Sequence, residues 1–289
     1  MARGFFIGEL TILAITGTDR LKIANNLCTQ DLKTLKPGQI AETFVTDVKG
    51  RTLSHGFALA REDALWFISS PGQGARLVPH FDRYIIREDA AVQDASGDWD
   101  AILFIALEDA VAFGASHSDW GCAIASVPWV SGGGLVLVPT ERRDLLSSDL
   151  RDGAITMSDT RTRSGWERAR IEAFWPWYGV DLDDRNLPQE AGIDARAISF
   201  KKGCYLGQET VARLDALGQV QKRLVRLTFE RKPDVSLPYS IEVDGKEIGA
   251  LTSIAEMEDG SGMGLAMIRR SHFASGTQVN IEGQRGLVI

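Results

Sequence analysis

The sequence predicts an α+β fold, with antiparallel sheets and helices in its body and a small β-barrel at its C-terminal end. Three observations support this. Up to residue 223, short apolar runs pair across turns and then give way to helical spacing, a hairpin-and-helix rhythm unlike strict βα alternation. After Arg213 the composition shifts to short strands joined by glycine turns, the pattern of a small barrel. No GxGxxG follows a strand and no GxxxxGK[ST] is present, so doubly wound dinucleotide and P-loop folds lack support.

Taken in order, Leu10–Gly17 (LTILAITG) reads as a strand, with Asp19 as the cap of a helix carrying Leu21, Ala24 and Leu27. AETFVTD and TLSHGFALARE read as a hairpin through the turn VKGR, and ALWFIS as a further strand. GARLVPHFDRYIIRED fits a helix with Leu77, Phe81 and Ile85 on one face. A second pass follows: strand WDAILFIAL, helix EDAVAFGA, strand GLVLVP and helix TERRDLLSSDLRDG, with SGGGL as a turn. The helix SGWERARIEAF stops before Pro176, and WPWYGVDLDDRNLPQEAG is a long irregular segment of the kind that is usually functional. RLVRLTFE, YSIEVDGKEIGALTSIAE, GSGMGLAMIRR and TQVNIEG are the barrel strands, with Asp-Gly marking a hairpin. The expected domains are residues 1–223 and 224–289.

The chain has 289 residues, 44% hydrophobic and 25% charged, enough for a sizeable core without staples. Its net charge of -7 disfavours non-specific binding to nucleic acid, so no tight RNA complex is expected at physiological salt. Three widely spaced cysteines and four scattered histidines (His55, His80, His117, His272) form no metal-ligand spacing, so no metal site or disulfide framework is expected. No apolar run approaches the ~20 residues of a membrane span and no targeting segment is evident, so the chain is expected to be cytoplasmic, away from membranes, and monomeric.

One stretch concentrates chemistry. In KKGCYLGQETVAR (Lys201–Arg213) a glycine turn carries Cys204 between two lysines and a helix start. Lysines and a helix N-terminus favour a thiolate. The residues alone leave two readings open, a reactive thiol and a buried cysteine in a tight turn with solvated lysines.

ISFKKGCYLGQETVAR closely resembles the K-G-C-[FY]-x-G-Q-E signature of the YgfZ family, and RIEAFWPWYGVD, LPQEAG and TDVKGR extend the match over essentially the whole chain. The wider superfamily is that of the T-protein of glycine cleavage. The resemblance implies a T-protein-like folate-binding body followed by a barrel, with tetrahydrofolate as ligand. It also implies a role supporting iron–sulfur enzymes, tRNA-modifying ones among them, as partners. It carries Lys202, Gly203, Cys204, Tyr205, Gly207, Gln208 and Glu209 into the signature and closes it with Arg213. Asp47, Lys49, Gly50 and Arg51 match an N-terminal turn, and Arg170 the arginine of an R-[IL]-E helix. On this basis Cys204 is the expected reacting thiol and Lys202 its electrostatic support. The folate contacts are expected from Arg170, Glu172, Trp177, Tyr178, Asp47, Arg51, Gln208, Glu209 and Arg213. Arg170 would pair with the glutamate tail, Glu172 would accept from the pterin edge, and Trp175, Trp177 and Tyr178 would wall an apolar slot. Core packing is the competing reading for each aromatic. The T-protein's acidic pair has no counterpart in RTLSH (Arg51–His55), which counts against aminomethyl transfer. The alternatives are a folate-dependent one-carbon transferase or demethylase, and a ligand-free scaffold.

Overall fold

The structure, a computed structural model, describes residues 4–127, 130, 132–146, 155–156, 160–218 and 220–289. Three sheets and the helices packed on them make up its architecture. The first sheet has the order β3-β4-β5-β2-β6, from β2 (Thr11–Thr16), β3 (Ile40–Thr46), β4 (Thr52–Ala60), β5 (Ala64–Ser69) and β6 (Ala91–Asp94). All its pairings are antiparallel. Helices α1 (Arg20–Leu27) and α2 (Gly74–Asp82) cover one face. Both faces are buried, which is why β2 and β5 read as continuous apolar runs. Ile12 and Ile68 point toward the second sheet, while Leu13, Ile15 and Phe67 pack with Ile23, Leu77 and Phe81 on the helical side.

The second sheet has the order β10-β1-β7-β9-β8. Its strands are β1 (Gly4–Glu9), β7 (Trp99–Phe104), β8 (Ala123–Val127), β9 (Gly133–Pro139) and β10 (Ile155–Thr156), with α3 (Leu107–Ser116) packed beside β9. The expected strand over Leu10–Gly17 is therefore only β2. The preceding GFFIGE, left unassigned in the sequence reading, forms β1, and at Leu10 the chain steps from one sheet to the other.

Asp19 does not cap α1 with its side chain; its Oδ2 instead accepts from the Asp89 N–H at 3.0 Å. α2 is shorter than expected. Pro79 lies inside it and the helix ends at Asp82, so Ile85 falls beyond it. The expected helix from Thr140 is a 3-10 turn over Thr140–Leu146; its remainder, and Ser131 of the expected glycine turn, lie outside the described residues.

Helix α4 (Thr160–Glu172) leads through the aromatic segment to a short helix α5 (Asp194–Ala197) and to α6 (Gln208–Leu217). The third sheet then begins at Lys222, with the order β12-β13-β14-β11-β16-β15. Its strands are β11 (Lys222–Phe229), β12 (Tyr239–Val243), β13 (Lys246–Glu256), β14 (Gly262–Arg269), β15 (Gln278–Ile281) and β16 (Gln284–Val288). Edge strands β12 and β15 lie against each other, so the sheet closes nearly into a barrel around Leu227, Phe229, Ile241, Leu251, Ile268 and Ile281.

Candidate functional site

The signature segment folds as a docking of two turns. Asp47 holds the first, its Oδ1 accepting from the Lys49 and Arg51 N–H groups, each at 2.8 Å. Gly50 has φ +75 and Gly207 has φ +79. A Cβ on Gly207 would stand 2.4 Å from the Asp47 carbonyl oxygen and 2.6 Å from Gly50 Cα. Neither glycine can carry a side chain without parting the two turns. Thr46 Oγ1 donates to the Leu206 carbonyl at 2.6 Å and completes the joint.

Cys204 lies on the surface of this assembly, exposed, next to Gly203, whose missing Cβ would meet nothing within 4 Å. The other two thiols are different. Burial pushes Cys28 up to about 12, and Cys122, half-buried, is raised by the same cause. Helix α6 begins at Gln208, and Cys204 stands ahead of its first turn.

Lys202 is also placed otherwise than expected. It is buried, and its Nζ donates to the carbonyls of Asn25 at 2.7 Å, Cys28 at 2.8 Å and Gln30 at 2.7 Å. Three acceptors match the three donors of an ammonium, even though burial pulls its pKa down to about 8. The Asn25 carbonyl lacks its helical partner because the Thr29 N–H turns to Phe44 O instead. Lys202 thus satisfies the C-terminal end of α1, and its charge is spent on carbonyls and not on the Cys204 thiol. Lys201 is the exposed lysine of the pair.

Arg170, expected at a ligand's tail, is a structural joint. It is 1% exposed. Its guanidinium donates to Asp181 Oδ2 at 2.8 Å, to Ser253 Oγ at 2.6 Å and to both Glu167 oxygens at 3.0 and 2.8 Å. Asp181 in turn accepts from the Trp177 N–H at 2.8 Å and from Ser253 Oγ at 2.6 Å. Helix α4, the aromatic segment and β13 are locked together here, with no donor left for a carboxylate ligand. Glu172 is exposed in a separate groove of about 480 Å³, lined also by Phe5, Ile105, Arg168, Met257 and Met263.

The aromatics split between the two readings. Trp175 is core, 4.9 Å from Phe57 and 5.0 Å from Trp166 between ring centroids. With Trp177, Tyr178, Phe57, Leu10 and Ile68 it also lines a narrow slot. The slot's polar groups are His55, Ser69 and Ser70, and the Ser70 Oγ is buried with no hydrogen-bond partner. Arg76 Nη1 donates to the Tyr178 hydroxyl at 2.8 Å, with its guanidinium 4.8 Å from the ring centre.

Beneath the slot lies a buried charge network that the sequence reading missed. His55 Nε2 stands 2.8 Å from Glu42 Oε1, and His55 Nδ1 stands 3.1 Å from the Pro176 carbonyl. Both ring nitrogens face oxygen atoms. Arg196, from α5, pairs its Nε with Glu42 Oε2 and donates to the carbonyls of Ala173 and Phe174. Arg196 Nη2 also donates to Glu42 Oε1 at 3.4 Å. A signal for His55 was available: the register of the β3–β4 hairpin sets Phe44 opposite His55 and Glu42 opposite Phe57, on one face.

The site residues therefore fall into separate places. Cys204, Asp47, Arg51, Gln208, Glu209 and Arg213 belong to the docked turns and α6. Trp177 and Tyr178 belong to the slot, and Arg170, Glu172 and Lys202 to neither ligand position expected of them. Among the described residues no group of His, Cys, Asp and Glu could hold a metal ion, and no helix is long and apolar enough to cross a membrane.

Asp194, at the head of α5, carries a pH dependence. Burial pushes its carboxyl up to about 6, against the attraction of Arg223. A carboxyl whose pKa is raised on folding contributes its stability fully below the unfolded value near 4 and loses it as pH rises through about 6. Asp194→Asn is expected to stabilise the protein by about 1–2 kcal/mol at neutral pH, after allowance for partial exposure, and by nothing in acid below the unfolded pKa. Urea midpoints at the two pH values check this; equal midpoints at neutral pH would contradict it.

No protein-family model matches the chain. The fold nevertheless has a solved counterpart. The structure of glycine cleavage system aminomethyltransferase T from Bartonella henselae aligns with 100% of this chain and 84% of its own, at a TM-score of 0.81 and 15% identity. A putative chloroplastic transferase of Arabidopsis thaliana is 26% identical over 93% of this chain, which spans 66% of that relative's length. The tRNA-modifying protein YgfZ of Sodalis glossinidius is 24% identical over 88% of this chain and 80% of its own. An aminomethyltransferase of Rubrobacter xylanophilus is also 24% identical, over 86% of this chain and 71% of its own. The chain is thus similar in sequence to YgfZ proteins and to aminomethyltransferases, and in fold to the T-protein.

Proposed function

We propose that the protein binds tetrahydrofolate in the aromatic slot and acts, like the YgfZ relatives named for tRNA modification, in support of iron–sulfur enzymes including tRNA-modifying ones. The observation that carries the ligand reading is the slot itself. Flat aromatic walls meet a buried hydroxyl, Ser70 Oγ, that lacks a partner. A pterin supplies a plane and a hydrogen-bonding edge for these groups, and the slot, about 10 Å³ as it stands, must open to admit it. Arg76, stacked on the slot residue Tyr178, takes the place assigned from sequence to Arg170. Cys204 is the thiol offered to partner enzymes, since it alone of the three cysteines is exposed.

Aminomethyl transfer is the second reading, favoured by the relatives of that name. It needs a carboxylate at the ligand to handle a proton. Among the described residues no carboxylate lines the slot, and the nearest one below it, Glu42, is engaged by His55 and Arg196.

Calorimetric titration with tetrahydrofolate tests the first reading. Saturable binding is expected, weakened about tenfold by Trp177→Ala through loss of one aromatic contact. An absence of binding at about 1 mM ligand would overturn it. Turnover of a methylamine-type substrate with tetrahydrofolate would favour transfer.

A further inference from the structure

Cys204 is exposed and does not line the slot, so any communication between the two must pass through the protein. The structure contains a continuous polar connection. His55 lines the slot and touches the Pro176 carbonyl at 3.1 Å and Glu42 at 2.8 Å. Glu42 pairs with Arg196, which also holds the carbonyls of Ala173 and Phe174 at the start of the aromatic segment. Arg196 belongs to α5, a helix with a single turn, so a shift of its side chain is carried by its backbone.

The far end of α5 is gripped by the loop after α1. Gln30 Nε2 donates to the Arg196 carbonyl at 2.9 Å, and Thr29 Oγ1 to the Ala197 carbonyl at 2.7 Å. The carbonyl of that same Gln30 accepts from Lys202 Nζ at 2.7 Å. Lys202 stands two residues before Cys204 in the turn that presents the thiol. One end of the connection is thus a slot wall, and the other is the anchor of the cysteine loop.

We infer that Arg196 and Gln30 are positioning residues that couple occupancy of the slot to the presentation of Cys204. This rests on the reading of the slot as a tetrahydrofolate site. A ring entering the slot, about 10 Å³ in this structure, has to displace the 173–178 segment, whose carbonyls at 173, 174 and 176 are the ones Arg196 and His55 hold. The displacement reaches α5 through a guanidinium with contacts on both sides, and then the Gln30 loop. His55, Glu42, Thr29 and Lys202 are buried and Arg196 and Gln30 half-buried between them, so a movement that breaks one contact strands a partner.

The test uses the full chain and tetrahydrofolate itself. Binding is followed by calorimetry, and iodoacetamide labelling of Cys204 by peptide mass spectrometry, with and without ligand. Saturating ligand is expected to change the labelling rate by about fivefold or more. Gln30→Ala leaves the slot, His55, Glu42 and Arg196 in place; it is expected to bind with unchanged affinity and to lose the ligand-induced change. A merely structural role for Gln30 would alter the basal rate and leave the ratio intact. Binding without any change in wild-type labelling overturns the coupling and leaves the slot reading standing. A full response in Gln30→Ala overturns the route. Absence of binding overturns the slot reading, and the coupling with it.

Discussion

Replacing Lys202 by methionine is expected to lower the stability of the protein by about 3–5 kcal/mol, because it strands three buried carbonyls. Methionine fills much of the same volume, so the loss is polar and not a cavity. It leaves the carbonyls of Asn25, Cys28 and Gln30 facing an apolar side chain, with water excluded. Each unsatisfied group costs about 1–3 kcal/mol. Arginine is a poor rescue, because a planar fork cannot point at three carbonyls gathered around one nitrogen. Lys201→Met, on the exposed neighbour, is expected to stay within about 0.5 kcal/mol. Urea unfolding of the three variants separates the possibilities. If Lys202→Met unfolds at the wild-type midpoint, the lysine is not an anchor and the electrostatic role regains its standing.

Arg170→Met is expected to cost a comparable amount, about 3–5 kcal/mol, for a different reason. Asp181 would keep its charge in the interior with only hydroxyl and N–H donors around it. The joint between α4, the aromatic segment and β13 would open, because Ser253 is reached through the same guanidinium. A role at a ligand's tail instead predicts weakened binding in a protein of unchanged stability. Measuring the unfolding midpoint beside the tetrahydrofolate affinity distinguishes them; unchanged stability with lost affinity would restore Arg170 to the ligand.

Much of the fold was legible because its signals are local. Alternating runs in β4, the Asp-Gly hairpin of the barrel and the irregular aromatic segment each follow from a few neighbouring residues. Strand β1 was missed because GFFIGE continues into LTILAIT without a turn signal, and only tertiary packing assigns the two runs to different sheets. The site was less legible. That Cys204 lies in an exposed turn could be read from the glycines around it. The roles of Lys202 and Arg170 could not, because their acceptors lie far along the chain: for Lys202 in α1 and the loop after it, for Arg170 partly in β13. His55 and Glu42 were recoverable from hairpin register, but Arg196 was not, since its four-residue helix carries no periodicity.

The contact between Gly50 and Gly207 bears on how the signature can be inherited. The two glycines come from opposite halves of the chain, yet each excludes a methyl group on the other. The C-terminal motif is therefore not a portable cassette. Grafted into a host lacking the N-terminal turn it would have no surface to rest on, and lineages can lose or keep the two only as a unit. Synthesis has an order as well: the Asp47–Arg51 turn leaves the ribosome long before Gly207, so the early half of the chain must hold an unfilled seat until the late half arrives.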